Sequence, residues 1–216
     1  MKTARDAILG ALPATRPAFG AARRGLAPVA MPPDPEGVLR ARVEAAGGRL
    51  QVVARRDWVD RVDWPVVLPP KGAAPGFGPA DGPSIHSAFP EIPSRGLDRS
   101  ASATPDFAAL DLCILRGDFA VVENGAVWHV PRSPRERRAA LLAEHLVVVI
   151  EGDALVPSLH QAYERIDLAA LSFGWLLCGP SKTADIEQAL VLGAHGPRSQ
   201  SLVWLRDEPL DGDARP

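Results

Sequence analysis

The chain has 216 residues, of which 46% are hydrophobic and 23% charged, and its formal net charge is -2 at pH 7. These values are typical of a soluble globular protein with room for one domain and an arm. The slight negative charge argues against a nucleic-acid partner, and no apolar run approaches the roughly 20 residues of a membrane span. Because the first residues lack the charged start and apolar core of a signal peptide, we expect a cytoplasmic protein.

The two cysteines, Cys113 and Cys178, each lie inside an apolar run, and no C-x-x-C pair is present. Free cysteines in such surroundings usually behave as small buried hydrophobic residues. Thiolates that bind zinc or an iron–sulfur cluster come instead in closely spaced sets. We therefore expect two buried thiols, no metal site and no cofactor in this chain.

The N-terminal part begins with a short predicted helix and a proline-rich arm, which together occupy 1–35. A second helix is predicted over 36–46, where Gly47-Gly48 stops it, and a strand follows over 50–54. Residues 65–105 are rich in proline and glycine, and a short apolar run at 64–68 overlaps their start. A loop of this length is either functional or poorly ordered.

The second half alternates strands and helices. Asn124-Gly125 between apolar runs predicts a tight turn, and Ser133-Pro-Arg-Glu136 predicts a helix start with Ser133 as the cap. The continuous apolar run at 146–150 predicts a strand buried on both faces. Further strands are predicted at 110–116, 119–123, 126–130, 171–178 and 201–205, and helices at 155–168 and between Gly179 and Gly193.

This alternation predicts an α/β fold with three layers, a mainly parallel sheet and a site at the carboxyl ends of its strands. The predicted domain covers 36–205 and is followed by a polar tail over 206–216. The arginines of the helix that begins at Ser133 have no aromatic residues between them, so we assign them to a solvated helix face.

The segment that runs from Gly179 to Asp185 is the strongest candidate for a ligand site. A glycine turn at the start of a helix presents backbone N–H groups to an anion. The hydroxyls of Ser181 and Thr183 and the ammonium of Lys182 add further donors. Ordinary helix capping, with Asp185 favoured by the helix dipole, is the alternative interpretation.

His195 and Arg198 follow the predicted helix and are also candidate ligand-binding residues, because such a pair can hold a carboxylate or phosphate. A helix of about ten residues would separate this pair from Lys182 by about 15 Å. One small ligand reaches both only if the loop folds back or a second subunit supplies one end. The alternative is that Gly193 caps the helix and His195 meets its last carbonyls.

Several motifs of the C-terminal half are similar to those of a known family. They are Gly179-Pro-Ser-Lys-Thr-Ala-Asp-Ile-Glu187, Gly193-Ala-His-Gly-Pro197, Asp111-Leu-Cys-Ile-Leu115, Ala120-Val-Val-Glu-Asn-Gly125 and Leu141-Leu-Ala-Glu-His-Leu146. On these motifs the chain resembles the lactate utilization protein C family, the LUD domain. The resemblance implies a fold like that of the sugar-phosphate isomerases and acyl-CoA transferases. It also implies a role in oxidising L-lactate to pyruvate, beside two partner proteins that carry the iron–sulfur centres.

Glu123 is the candidate catalytic residue. The triplet Glu123-Asn124-Gly125 also resembles the nucleophile motif of class I acyl-CoA transferases, in which a glutamate forms a thioester-linked intermediate. The simpler interpretation is a polar residue that opens a hairpin turn.

Three hypotheses follow. The leading one is an accessory subunit of an L-lactate oxidation system, which has no redox centre of its own and binds a small anionic metabolite. The second is an acyl- or CoA-transferase that uses Glu123. The third is a regulatory module that senses a small anion.

Overall fold

The computed structural model describes residues 3–11, 27–65, 83–95, 110–186 and 189–207. Its helices are α1 (Ala4–Ala11), α2 (Pro35–Ala45), α3 (Trp58–Arg61), α4 (Pro134–Leu142) and α5 (Leu159–Arg165). Its strands are β1 (Arg49–Ala54), β2 (Ile85–Ser87), β3 (Leu112–Arg116), β4 (Phe119–Val121), β5 (Val127–His129), β6 (His145–Glu151), β7 (Leu155–Val156), β8 (Trp175–Leu177), β9 (Lys182–Ile186), β10 (Ala189–Leu192) and β11 (Ser199–Arg206). In the described ranges, no helix has the length and apolar character that crossing a membrane requires.

Five parallel strands form the central sheet, in the order β1-β11-β6-β3-β2. The middle strand, β6, sends its side chains alternately into two hydrophobic clusters. Val147 and Val149 pack on one face of the sheet, and Val148 and Ile150 pack on the other. All four are fully buried, and burial of each such side chain stabilises the fold by about 1.5–3 kcal/mol. The predicted strand with two buried faces is confirmed.

Both faces of the central sheet are covered. On one face, Leu39 of α2 and Ala139 of α4 pack against the strands. On the other face lie Trp58 of α3 and Phe89, whose rings meet edge-on with centroids 5.2 Å apart. The predicted α/β class, with a mainly parallel sheet and flanking helices, is therefore confirmed.

A second sheet, in the order β7-β4-β5-β8, lies on the same side of the central sheet as α2 and was not predicted as a separate layer. Its strands β4 and β5 are antiparallel and are joined at the predicted Asn-Gly turn. Gly125 has a φ of 76°, and the N–H of Ala126 donates to Oδ1 of Asn124 at 3.0 Å. A Cβ on Gly125 would lie 3.0 Å from the backbone nitrogen of Val43, so this turn packs directly on α2.

The segment between Gly179 and Gly193 is a β-hairpin, so the predicted helix is wrong. β9 and β10 pair in antiparallel fashion, with the β-branched residues Thr183 and Val191 opposite each other. The N–H of Gly193 donates to the carbonyl of Ser181 at 3.0 Å, and the N–H of Ser181 donates to that of Pro197 at 2.9 Å. These pairings close the base of the hairpin, and they outweigh the local helical spacing of the apolar residues.

Two other predicted elements are shorter than expected. The strand predicted over 171–178 is reduced to β8, which lies in the second sheet rather than the central one. The helix predicted over 155–168 begins instead with β7, which pairs with β4. α5 starts only after Ser158, whose side chain caps it by accepting from the N–H of Gln161.

The predicted loop over 65–105 contains an edge strand of the central sheet, β2, which pairs with β3. The predicted apolar run at 64–68 lies mostly outside the described residues. Of the predicted arm, which ends at 35, residues 12–26 lie outside the described residues. Of the predicted tail over 206–216, residues 208–216 do.

The glycine that opens the hairpin segment generates a stability prediction. Gly179 has a φ of 73°, and a Cβ there would lie 2.3 Å from the carbonyl oxygen of Ala46. Gly179→Ala should therefore lower the free energy of unfolding by roughly 2–5 kcal/mol, from backbone strain and overpacking together. Denaturant unfolding measures this change.

Gly152→Ala is the matched control. Gly152 has a φ of 57°, but a Cβ there would approach only Asp207, at 3.7 Å. This variant should lose about 1–2 kcal/mol from strain alone. Equal losses in the two variants would contradict the close approach of Gly179 to α2.

Candidate functional site

The hairpin of β9 and β10 lies near the amino-terminal edge of the central sheet. The residues after it lead into β11, whose first residue, Ser199, pairs with the first residue of β6, His145. The N–H of Arg198 donates to the carbonyl of Glu144 at 2.8 Å, just before β6 begins. Open parallel sheets usually bind ligands at the opposite, carboxyl edge. The expectation that these residues lie at the carboxyl ends of the strands is therefore wrong.

The hairpin brings the two predicted groups of site residues together. The N–H of His195 donates to Oγ of Ser181 at 3.4 Å, and a Cβ on Gly193 would lie 2.2 Å from Cγ of Arg198. The predicted separation of about 15 Å is wrong, because it assumed a helix between the groups. The N–H groups of Ser181, Gly193 and His195 all have protein partners, so these three do not form an open cradle.

Lys182 and Arg198 each lie beside a group of the protein that attracts positive charge. A Cβ on Gly47 would lie 2.7 Å from Nζ of Lys182, which places the ammonium beside the carbonyl end of α2, where positive charge is favoured. Nη1 of Arg198 lies 2.9 Å from Oε1 of Glu144. The structure describes only the backbone of Asp185, in β9. Anion binding by this segment stays a prediction.

Glu123 supports the start of α5. Its Oε2 accepts a hydrogen bond from the N–H of Leu159, the first residue of that helix, at 2.7 Å. A carboxylate at this position satisfies an unpaired helix N–H and complements the helix dipole. The geometry favours a structural role for this turn residue, and its role as a nucleophile stays a prediction.

The two cysteines differ in exposure. Cys113 is buried in β3, and burial raises the pKa of its thiol well above the usual value. Cys178 is exposed, and its Sγ donates to the carbonyl of Asn124 at 3.3 Å. Partial desolvation raises the pKa of Cys178, and the nearby Lys182 opposes that shift. The prediction of two buried thiols is wrong for Cys178, because it follows an edge strand of the second sheet.

The first turn of α4 lies at the carboxyl edge of the central sheet. At the far end of this helix, the N–H of Glu144 donates to the carbonyl of Leu110, just before β3 begins, so α4 runs back toward the amino edge. The predicted cap is confirmed, since Oγ of Ser133 accepts from the N–H of Glu136 at 3.1 Å. Oε2 of Glu136 reaches back to the N–H of Arg132 at 2.7 Å.

Glu136 also belongs to a buried polar cluster. His129 is 2% exposed and Glu136 5%, and Nε2 of His129 lies 3.7 Å from Oε1 of Glu136. Nδ1 of His129 is 2.9 Å from the carbonyl oxygen of Arg116 at the end of β3, which fixes the ring. In the part of the chain that the structure describes, no three His, Cys, Asp or Glu side chains come together as metal ligands.

A cavity of about 540 Å³ opens beside this turn, and we call it the His86–Arg135 cavity. Part of its wall comes from His86 and Ser87 of β2, and Arg135 of α4 contributes as well. The segment after β2 supplies the rest, namely Ala88, Phe89, Pro90, Pro93 and Ser94. Phe89 gives it an apolar wall, and the guanidinium of Arg116 lies 4.5 Å from the centre of that ring. Among the described residues that line it are one guanidinium, one imidazole and two serine hydroxyls. None of these lining residues carries a carboxylate.

Burial shifts the pKa of His86, which lines the cavity, and that of Asp118, which interacts with His129 and Glu136. Burial lowers the pKa of His86 from 6.5, while the charge of Glu136 opposes this shift and that of Arg135 adds to it. Burial raises the pKa of Asp118, and the neighbouring His129 partly opposes that shift. His86 is therefore a neutral imidazole at pH 7, able both to donate and to accept a hydrogen bond.

The sequence alone does not reveal this cavity. It predicts a loop around His86 and a solvated helix face for Arg135. The signal that points to it is the cap at Ser133. A helix that connects parallel strands starts at their carboxyl edge, where ligands usually bind.

Comparisons with known proteins agree on one family. A family model described as the LUD domain matches residues 85–203. Lactate utilization protein C from Geobacillus kaustophilus is 26% identical over 180 residues, which cover 76% of this chain and 72% of that protein. Lactate utilization protein C from Halalkalibacterium halodurans is 33% identical over 103 residues, or 45% of each chain. The second alignment therefore spans less than half of that relative.

A solved structure shares the fold. The crystal structure of a DUF162 family protein from Deinococcus radiodurans matches with a TM-score of 0.50 and 14% identity. The match covers 82% of this chain and 99% of that one. At this identity the likeness concerns the fold alone.

The contact of Glu123 with α5 predicts a loss of stability on truncation. Glu123→Ala should lower the free energy of unfolding by about 0.5–2 kcal/mol, since the N–H of Leu159 loses its acceptor. Glu123→Gln keeps an acceptor oxygen and should lose less. Glu164→Ala, an exposed position in the same helix, is the control. If Glu123→Ala were as stable as the wild type, the capping role would be refuted.

His86 predicts a pH dependence of stability. Because burial lowers its pKa in the folded state, the unfolded chain binds this proton more tightly. The free energy of unfolding should therefore fall as the pH drops from 6.5 toward the lower folded value, with no such contribution above 6.5. His86→Gln should flatten this part of the profile in thermal unfolding at a series of pH values. Identical slopes for variant and wild type would contradict it.

Proposed function

Because the chain belongs to the LUD domain family, we propose that it acts in lactate utilization, as a subunit without an iron–sulfur centre of its own. The observation that carries this proposal is the family match over 85–203, together with two relatives named lactate utilization protein C. In the proposed system, L-lactate is oxidised to pyruvate, and partner proteins that hold iron–sulfur clusters take up the electrons.

The placement of the thiols supports this division of roles. Cys113 is buried in the central sheet, whereas Cys178 is exposed beside the second sheet. The ligands of one iron–sulfur cluster converge on a single point. These two side chains do not converge, which suits a subunit that binds a metabolite or a partner and leaves electron transfer to others.

The carboxyl edge of the central sheet supports a binding role. The His86–Arg135 cavity lies there, with a guanidinium and without a carboxylate in its lining. A small anionic metabolite of the lactate system is a suitable occupant of such a cavity. Acyl transfer through Glu123 has less support, because that carboxylate is bonded to the first N–H of α5. A regulatory module that senses an anion would use the same cavity.

Genetic complementation tests the proposed role. We expect the full chain to restore growth on L-lactate in a strain that lost it through deletion of its lactate utilization protein C. Affinity purification from those cells should recover iron–sulfur proteins with the chain. Failure to restore growth, although the chain is expressed and folded, would refute the role in lactate utilization.

The isolated protein separates the subunit role from an independent enzyme. Purified alone, it should not reduce an artificial dye when L-lactate is added, because oxidation of the acid needs an electron acceptor in the same site. The same assay with the purified complex is the positive control. Lactate-dependent dye reduction by the isolated chain would overturn the subunit role.

A further inference from the structure

We propose that a groove beside the start of α4 docks an acidic segment of a partner protein, in which carboxylates flank an apolar side chain. Residues 130–134 and Arg137 form one wall of this groove and residues 170–173 form the other, so we call it the Arg132–Phe173 groove. It has a volume of about 320 Å³ and shares no lining residue with the His86–Arg135 cavity. The inference rests on the proposed function only for the expectation that the chain has protein partners.

Pairing in the second sheet brings the two walls together. β8 lies antiparallel to β5, with Trp175 opposite His129. The residues that follow β5 therefore run beside those that precede β8. Gly174 permits this close approach, because a Cβ there would lie 2.4 Å from Cη2 of Trp128. The position of both walls is thus set by strand pairing.

Two guanidiniums line the groove, and none of its lining residues, all of which the structure describes, carries a carboxylate. Arg132 and Arg137 are both exposed. They stand immediately before the cap Ser133 and four residues after it, the two positions whose side chains meet across the first turn of a helix. Two positive charges therefore lie on one side of this turn. Arginine clusters of this kind recognise acidic motifs through paired, charge-assisted hydrogen bonds.

Two acids close to Arg132 reduce its attraction for an anion. Oε2 of the buried Glu136 accepts from the backbone N–H of Arg132. Burial raises the pKa of Asp118, and the charges of His129 and Arg132 oppose that shift. Residues 132–138 contain four arginines, which outnumber these two acids, so the local charge stays positive.

Phe173 gives the groove an exposed aromatic side. The guanidinium of Arg137 lies 4.9 Å from the centre of this ring, and a stacked guanidinium keeps N–H donors at its edge for a carboxylate. The ring also meets that of Trp175 edge-on, with centroids 5.2 Å apart, yet Phe173 stays 39% exposed. Aromatic and arginine side chains are enriched among the residues that dominate binding at protein interfaces.

The open form of the groove favours a protein segment over a small molecule. Small-molecule sites enclose most of their ligand, whereas Phe173 and Leu168, just before the second wall, are exposed. The acid beside this wall, Asp167, accepts from the N–H groups of Ala169 and Ala170. Exposed apolar residues rimmed by polar ones are typical of protein interaction sites. The arginines then select acidic residues in the partner, and Phe173 selects an apolar residue between them.

Calorimetric titration of the full chain tests the groove with a blocked hexapeptide, in which two glutamates stand on each side of a phenylalanine–leucine pair. Arg132→Gln and Arg137→Gln should each weaken its binding by about 10- to 100-fold, the effect of one charge-assisted hydrogen bond. Phe173→Ala should weaken it by about tenfold through lost apolar contact. Arg42→Gln removes an exposed arginine of α2 outside the groove and, as the matched control, should bind like the wild type.

A reversal of charge separates recognition from damage to the fold. The double variant Arg132→Glu and Arg137→Glu should bind the same peptide with lysines in place of its glutamates, which the wild type should not bind. Succinate and inorganic phosphate are the small-anion probes. Equal affinities of Arg137→Gln and Arg42→Gln for the glutamate peptide would overturn the groove. Binding of either small anion more tightly than the peptide would do so too, as would absence of binding to the wild type at millimolar peptide.

The C-terminal tail of the chain is the other candidate occupant, because residues 208–216 carry three acids. Deletion of these residues should leave the affinity for the peptide unchanged. A gain of tenfold or more would assign the groove to the tail and overturn the partner segment. In the wild-type protein, the peptide should shift the ring resonances of Phe173 and leave those of His195, at the opposite edge of the sheet, in place.

Failure of the groove and failure of the proposed function give different results. A chain that restores growth on lactate but does not bind the peptide refutes the groove alone. A chain that binds the peptide through Arg132 and Arg137 but does not restore growth refutes the proposed function alone.

Discussion

The buried carboxylate of Glu136 is the group on which the carboxyl edge of this protein depends. It holds the turn before α4 through the N–H of Arg132 and lies beside the ring of His129. A carboxylate so far from water is costly unless hydrogen bonds and positive charge compensate it, and the capped start of α4 supplies both. The position of α4 in turn sets where Arg135 stands relative to His86. One capping motif thus fixes both the helix and one wall of the cavity.

The features that the sequence predicts well are those that local chemistry decides. The run at 146–150 is apolar at every position, which leaves a strand with two buried faces as the natural outcome. Asn124-Gly125 makes its turn because glycine accepts a positive φ and the asparagine oxygen bonds two residues ahead. Ser133 and Glu136 form a helix start by themselves. In each case the local residues indicate the conformation before any distant partner is known, even where, as in β6, the strand then pairs with distant strands.

The failures have the opposite origin. The segment between Gly179 and Gly193 carries apolar residues at a spacing that suits a helix, but its ends are tied to each other through Ser181 and Pro197. No property of the segment alone reveals that pairing, which spans more than ten residues. The same is true of β2, where three residues gain their strand conformation from β3. The sequence does not predict the His86–Arg135 cavity for the same reason. The cavity is formed by His86 of β2 together with Arg135 of α4, which lies far along the chain.

The two edges of the central sheet carry different candidate features. The hairpin of β9 and β10 lies at the amino edge, and the His86–Arg135 cavity lies at the carboxyl edge. The motifs that led to the family, around Gly179 and Gly193, build a hairpin whose cations are matched by the end of α2 and by Glu144. Leu190 and Leu192 of that hairpin are exposed. Motifs that identify a family need not be the residues that hold its ligand, since packing of a backbone against a helix constrains sequence as tightly as binding does. Here, Gly179 lets its turn pack against the carbonyl oxygen of Ala46, which is a structural reason for glycine at this position of the motif.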